Sequence, residues 1–368
     1  MSSIQKNVGC QSIHFDLLDI DKWMLHSDSC KSLSYKWYGK VLGLRSNKPL
    51  VCWIKRCLHR FFDRILLREI FSEYDIIDFH YYSSIYFPLI PLAKSLGKKV
   101  KITLWGSDLL RATDEEKTEQ VKGYEIADLI QVATPFMSDA LCSVFPKFKY
   151  KVCILPFGNQ SLDDFNLHWD DSVDDSFLAH YDKNKKMVVC GYNGSSGQRH
   201  LEMIKMLNEL PNEIQKQIYV VFPMTYGAEP SYVNKVSEAL SNNYYSYDVL
   251  LNRLDSKQLF DLRRLTDIAI NIQITDAFSG SIQEHIFCEN VLLVGEWLPY
   301  SMLKDAGIFY KITSLDNLSS SFVDVFYNYE TYRKKCFNNK MLMYGLTSWA
   351  GLKDKWRAMY ISIKESSK

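Results

Sequence analysis

Residues 275–295 read TDAFSGSIQEHIFCENVLLVG. Two carboxylates, Asp276 and Glu284, stand eight residues apart, with a small-residue turn, Phe278-Ser279-Gly280-Ser281, between them. A short helical run follows and leads to an apolar strand, Val291-Leu292-Leu293-Val294-Gly295. Backbone N–H groups at a helix start lack intrahelical partners and attract anions. A carboxylate accepts hydrogen bonds from sugar hydroxyls. The stretch suits a polyol carrying a phosphate. A polar loop that only caps a helix would look the same, so the surrounding chain has to decide.

Working outward, the preceding residues alternate strand and helix. Residues 187–191 form an apolar strand that runs into Tyr192-Asn193-Gly194-Ser195-Ser196-Gly197-Gln198-Arg199-His200, a Gly/Ser-rich turn before a helix over 201–210. Strands over 218–223, 245–251 and 267–274 follow, with helices over 231–240 and 256–265 between them. Earlier in the chain, strands are expected over 75–80, 99–104, 127–134 and 151–155, with helices over 85–96 and 135–145. Repeated strand–loop–helix units of this length give a parallel, doubly wound sheet. Two such sheets in tandem are expected, making this an α/β chain of two Rossmann-like domains. The Asp-rich stretch 159–186, with its DDSVDD segment, is the best boundary. The expected division is residues 1–165, residues 166–345, and a closing amphipathic helix within 346–368 that crosses back to the first domain.

Open α/β sheets place their chemistry at strand C-terminal ends. His80 and Asp108 fall at two such ends in the first half. In the second half, Asn193, Gly194, Ser195 and Arg199 follow one strand, Thr225 and Tyr226 the next, and Asp276 to Glu284 a third. The turn after residue 191 has neither G-x-G-x-x-G nor Walker A spacing. It still reads as a phosphate cradle with Arg199 as anion partner. Together the loops suit transfer from a nucleotide sugar, whose diphosphate leaving group can be stabilised by backbone N–H groups and a cation without metal.

Composition sets limits. With 368 residues, 47% hydrophobic and 24% charged, the chain is globular and long enough for two domains. A formal net charge of +1 gives no field that would draw it to nucleic acid. The nine cysteines are scattered without metal-site or redox spacing, as in a reducing cytoplasm. Cys190 and Cys288 read as small core residues. The pairs Asp163-Asp164, Asp170-Asp171 and Asp174-Asp175 lie in the boundary stretch and read as solvated, so neither a metal nor another cofactor is expected. The opening residues lack the plan of a signal peptide, and no run reaches the roughly 18 apolar residues of a membrane span. A strand is expected over 12–18. Residues 50–71, LVCWIKRCLHRFFDRILLREIF, alternate apolar and basic positions at helical spacing. They read as a domain helix or as a helix lying on an anionic membrane.

At this point the chain resembles the GT-B glycosyltransferases, especially the retaining family with a Glu-x7-Glu motif. YDIIDFH, LWGSD, ADLIQVATPFMSDAL, KVCILPFGNQSLDDF and the motif region up to LLVGE carry the resemblance in order and spacing. Asp276 and Glu284 fall on the two motif carboxylates, the first being Asp in place of Glu. The family's basic pair is not evident; only Arg199 is near. GYNGSSGQRH and FPMTYGAEPSYV look more like the inverting transferase of enterobacterial common antigen that uses TDP-N-acetylfucosamine, so stereochemistry stays open. The resemblance implies two domains facing each other across a cleft. Glu284 would bind the ribose of the donor. Asp276, Phe278, Ser279, Gly280 and Ser281 would approach its sugar and diphosphate, and Asn193 to Arg199 its phosphate side. His80 and Asp108 would face the acceptor and the reaction. The implied role is transfer to a glycan or lipid-linked acceptor in bacterial surface polysaccharide synthesis, on the cytoplasmic side of the membrane with peripheral attachment through residues 50–71. Competing readings are a sugar-nucleotide epimerase on the same scaffold and a non-catalytic glycan- or partner-binding subunit.

Overall fold

The computed structural model describes residues 67–366 apart from Asn242. The strand expected over 12–18, Cys52 and Cys57, and most of the basic amphipathic stretch 50–71 lie outside the described residues. Residues 67–72 are helical, and Leu67, Ile70 and Phe71 are buried. Phe71 meets Phe79 edge to face with ring centroids 6.3 Å apart.

The chain divides into two compact units. Of the described residues, one holds those up to Val132, Met137–Leu155 and those from Asp354 on; the other holds Ala133–Phe136 and Pro156–Lys353. Among the described residues the first unit holds a parallel sheet of four strands in sequential order. These are β1 (Ile76–His80), β2 (Lys99–Thr103), β3 (Leu129–Val132) and β4 (Val152–Ile154). Successive strand side chains alternate faces. The register sets Asp78 opposite Lys101 and His80 opposite Thr103. All four positions therefore share one face of the sheet.

The second unit has six parallel strands: β5 (Lys186–Cys190), β6 (Ile218–Pro223), β7 (Ser246–Leu250), β8 (Ile268–Asn271), β9 (Val291–Gly295) and β10 (Lys311–Thr313). Their spatial order is β10-β9-β8-β5-β6-β7. The chain winds from β5 outward through β6 and β7, then returns to the other side of β5 and winds outward again. This is the 3-2-1-4-5-6 order of dinucleotide-binding sheets. The central strands are apolar and fully buried, as parallel strands covered on both faces must be. Cys190 and Cys288 are buried in the cores, as expected.

Two expected elements differ from those observed, each for a local reason. The helix expected over 85–96 is a 3-10 turn, Ser84–Tyr86, followed by a helix Leu89–Ser95. Pro88, which has no N–H to donate, stands at the junction. Within 159–186, Asn159 caps a helix, Gln160–Leu167, by accepting from the Ser161 N–H at 3.1 Å. Its Leu162 and Phe165 enter the core of the second unit. The closing helix expected within 346–368 is Trp349–Glu365, and a separate helix, Asn339–Thr347, precedes it. Ser348 is extended and its hydroxyl accepts from the Gly351 N–H at 3.0 Å, so it caps the second helix.

Candidate functional site

In doubly wound sheets the ligand crevice opens at the C-terminal ends of the strands where winding reverses. Here those strands are β5 and β8. Gly191, at the end of β5, has φ +70°, and a Cβ there would stand 3.1 Å from both Gln198 Oε1 and His200 Nε2. The Tyr192 N–H donates to Gln198 Oε1, and the Ser195 N–H donates to the Asn193 side chain at 2.9 Å. Gly194 donates to the Tyr226 carbonyl at 2.7 Å, and a Cβ on it would overlap Ala228. That contact joins the Asn193–Ser195 loop to the loop of Thr225 and Tyr226. Arg199 has φ +62° and lays its guanidinium over the Trp297 ring, 4.8 Å from the centroid. Its Nη1 is buried without a hydrogen-bond partner, and so is His200 Nε2. Burial lowers the His200 imidazole to about 4, so the ring is neutral at ordinary pH.

The loop after β8 closes on the loop after β5, with the Ile274 N–H donating to the Gly197 carbonyl at 2.9 Å. Asp276 is buried, and its carboxylate accepts from the Ser279 N–H at 3.0 Å and from the Tyr300 hydroxyl. Phe278 sits at φ +80°, a strained position for a bulky residue, with its carbonyl held by the Gln283 amide. Ser279 is the N-cap of the helix Gly280–Phe287. The N–H groups of this helix's first turn therefore point toward the crevice end of β8, beside Ser281.

Glu284 is 6% exposed, and its partner is a residue that sequence reasoning missed. Arg263, near the end of the helix Ser256–Leu265, donates from Nε to Glu284 Oε2 at 3.1 Å. Its Nη2 reaches the Ser281 hydroxyl and its Nη1 reaches His285 Nε2, both at 3.0 Å. A guanidinium only donates, so His285 Nε2 accepts and its Nδ1 carries the proton to Asn290 Oδ1, 2.7 Å away. Asn290 in turn donates to the Arg263 and Thr266 carbonyls. Burial, and then the neighbouring Arg263 charge, keep His285 well below the usual histidine range. Burial raises the Glu284 carboxyl and Arg263 opposes the rise. Glu284 Oε1 faces the first turn of its own helix, 3.8 Å from where a Gly280 Cβ would be.

In the first unit His80 and Asp108 converge on one turn. Asp108 is buried and accepts three backbone N–H groups: Trp105 and Gly106 at 2.9 Å on Oδ1, and Tyr82 at 2.8 Å on Oδ2. Its carboxylate thus ties the ends of β1 and β2 together. Burial pushes its pKa up, and those three N–H groups act against the rise. His80 lies between Asp78, 3.1 Å from Nε2, and the Trp105 indole N–H, 3.3 Å from Nδ1. Sequence reasoning missed both neighbours and also Lys101, whose side chain is fully buried. Lys101 Nζ donates to Asp78 Oδ2 and to the Thr103 hydroxyl, both at 2.6 Å. Burial pushes the Asp78 carboxyl up, but His80 and Lys101 together hold it well below the usual carboxylate range. The alternation Asp78-x-His80 was a readable signal for one shared face.

Among the described residues no cluster of three or more His, Cys, Asp or Glu is placed to hold a metal ion. No helix among them is long and apolar enough to cross a membrane. No family model and no curated protein matches the sequence. Solved structures do match. A UDP-forming α,α-trehalose-phosphate synthase from Burkholderia vietnamiensis is similar with a TM-score of 0.66 at 11% identity, covering 90% of this chain and 80% of its own. The chain has the GT-B fold. GT-B likeness extends to a glycosyltransferase from Rickettsia africae, with a TM-score of 0.64 at 14% identity over 88% of this chain and 84% of that one. It extends also to Anabaena HepE, solved with UDP and glucose, with a TM-score of 0.62 at 14% identity over 81% of each chain.

Proposed function

We propose that the protein is a glycosyltransferase that takes a sugar from a nucleotide-sugar donor and passes it to a glycan or lipid-linked acceptor in bacterial surface polysaccharide synthesis. The observation that carries this reading is the meeting of the β5 and β8 loops at the point where the winding reverses. There the first turn of the helix Gly280–Phe287, Arg199 Nη1 and Glu284 Oε1 offer two donors and an acceptor suited to a diphosphate and a ribose. The GT-B fold supports the same chemistry, since the Anabaena neighbour was solved with UDP and glucose.

In this reading Glu284 accepts from the ribose hydroxyls, its carboxylate kept ionised and oriented by Arg263. Backbone N–H groups and Arg199 stabilise charge on the departing diphosphate; such preorganised donors cost no reorganisation during bond breaking. Asn193, Gly194, Ser195, Thr225 and Tyr226 border the phosphates. Asp276 holds the turn Phe278–Ser281 against the donor sugar. His80 and Asp108 stand on the acceptor side. The basic amphipathic pattern of residues 50–71 supports peripheral attachment to an anionic membrane on its cytoplasmic face.

Calorimetric titration with UDP, GDP and TDP tests the proposal. At least one should bind, and Glu284→Gln should weaken it about tenfold or more, the value of one hydrogen bond to a charged group. If none binds, or if a folded Glu284→Gln protein binds as well as the parent, the donor site is misplaced.

A further inference from the structure

The turn that joins His80 to Asp108 carries an exposed indole. Trp105 is 55% exposed, and Tyr81 nearby is 49% exposed. A large aromatic ring left at a strand end normally swings among rotamers, yet this one is held. Its indole N–H donates to His80 Nδ1, with the two rings edge to face and centroids 6.1 Å apart. An indole N–H is only a donor, and an ionised carboxylate is only an acceptor. His80 Nδ1 therefore carries the lone pair, and Nε2 carries the proton that goes to Asp78. Asp78 is fixed in turn by Lys101, by the Thr103 hydroxyl at 2.7 Å and by the Tyr360 hydroxyl at 3.2 Å. Lys101 is capped by the Trp356 ring, 4.9 Å away. An exposed ring is thus anchored, through one histidine, to a buried ion pair.

The backbone beneath it is equally fixed. Asp108 holds the Trp105 and Gly106 N–H groups, and Gly106 has φ +114°, a conformation L side chains rarely adopt. Tyr81 also lies in the left-handed region, at φ +57°, and its hydroxyl receives the Ser107 hydroxyl at 3.4 Å. The surface is a flat aromatic face bordered by hydroxyls and an imidazole. An acyl chain or an apolar peptide would bring no partners for that polar border. A pyranose would, because its C–H face packs on an aromatic ring while its hydroxyls point outward to donors and acceptors.

We propose that Trp105, flanked by Tyr81, is a stacking platform for a sugar ring of the acceptor, and that His80 is the positioning residue that fixes the indole. The assignment of a sugar rests on the glycosyl-transfer reading; the rigidity of the platform does not. Folded full-length protein labelled with 5-fluorotryptophan provides the test, with the Trp105 fluorine line assigned by its loss in Trp105→Phe. Methyl glucoside, methyl galactoside and methyl N-acetylglucosaminide are titrated against it, with sorbitol as a polyol that has no ring face.

At least one glycoside should move the Trp105 line saturably, and sorbitol should not. His80→Leu should shift or broaden the line without sugar and raise the half-saturating concentration about three- to tenfold, the scale of one aromatic contact. His80→Gln, which keeps an acceptor for the indole and a donor for Asp78, should restore both. No movement with any glycoside, or equal movement with sorbitol, overturns the platform. A folded His80→Leu protein with the parent's line and half-saturation overturns the positioning role. Calorimetry with nucleoside diphosphates on the same preparation separates the two readings. Nucleotide binding beside a silent Trp105 line removes the platform alone, and loss of both removes the transferase reading with it.

Discussion

Replacing Arg263 by methionine removes the cation that faces Glu284 while keeping much of the side-chain volume. The two side chains are 4% and 8% exposed and their charged atoms are 3.1 Å apart. At an effective dielectric of about 20, a pair at that distance attracts by about 5 kcal/mol. The folded protein would lose most of that while still holding Glu284 out of water. Breaking a buried pair from one side costs about 3–5 kcal/mol, or roughly two to more than three orders of magnitude in the folding equilibrium. The sign of the pH dependence follows from Glu284. Its folded carboxyl is already raised above the usual value by burial, and Arg263 opposes that rise. Without Arg263 the rise is larger. A folded state that binds the proton more tightly than the unfolded chain is favoured at low pH and loses stability as pH rises through the raised value. Relief of the Arg263 charge on His285 acts in the same direction, because that ring can then accept a proton. Urea melts of Arg263→Met and the parent should therefore differ by about 3–5 kcal/mol near neutrality and by clearly less near pH 5. Adding Glu284→Gln should recover part of the loss. A deficit below about 1 kcal/mol, or one that does not vary with pH, would refute the argument that a buried charge is being held.

Two further outcomes are expected. His200 is buried, and that burial brings its imidazole to about 4. The unfolded chain then binds the proton first, so stability is complete above about pH 6.5 and falls as pH drops toward the folded value, by about 3 kcal/mol for this group. Urea melts between those limits should show the slope, and His200→Gln should flatten it; an unchanged slope places the acid sensitivity elsewhere. Gly106→Ala puts a Cβ at φ +114° and should cost about 1–3 kcal/mol by thermal or urea melts, with a shift in the Trp105 environment. An alanine variant as stable as the parent would mean the turn can relax without strain.

The alternation of apolar strands and capped helices was legible because parallel strands covered on both faces must be apolar and each loop must be polar. Val291–Gly295 and Ile218–Pro223 stand out as uninterrupted apolar runs for that reason. Legibility stopped at contacts set by spatial order. Arg263 lies 21 residues before Glu284 on a different helix. In the sequence it is one of two basic residues ending a helix, where a cation is favoured by the helix dipole in any case. Lys101 alternates with apolar residues like any half-exposed strand lysine. Its burial depends on the β1–β2 register and on Trp356, 255 positions later, neither of which a local pattern encodes. Asp276 and Glu284 are visible in the sequence as a spaced pair of carboxylates, but their partners Tyr300 and Arg263 are not.

The residues from Asp354 on belong to the unit that also contains β1 to β4. Trp356 covers Lys101, and Tyr360 donates to Asp78. During synthesis the residues of β1 to β4 emerge well before those of the closing helix that pack on Lys101 and Asp78. Until residue 360 arrives, Lys101 lacks its covering ring and Asp78 one of its donors, and the support behind the Trp105 turn is unfinished. A chain truncated after Lys353 would carry all of β5 to β10 but a Trp105 turn without its anchor.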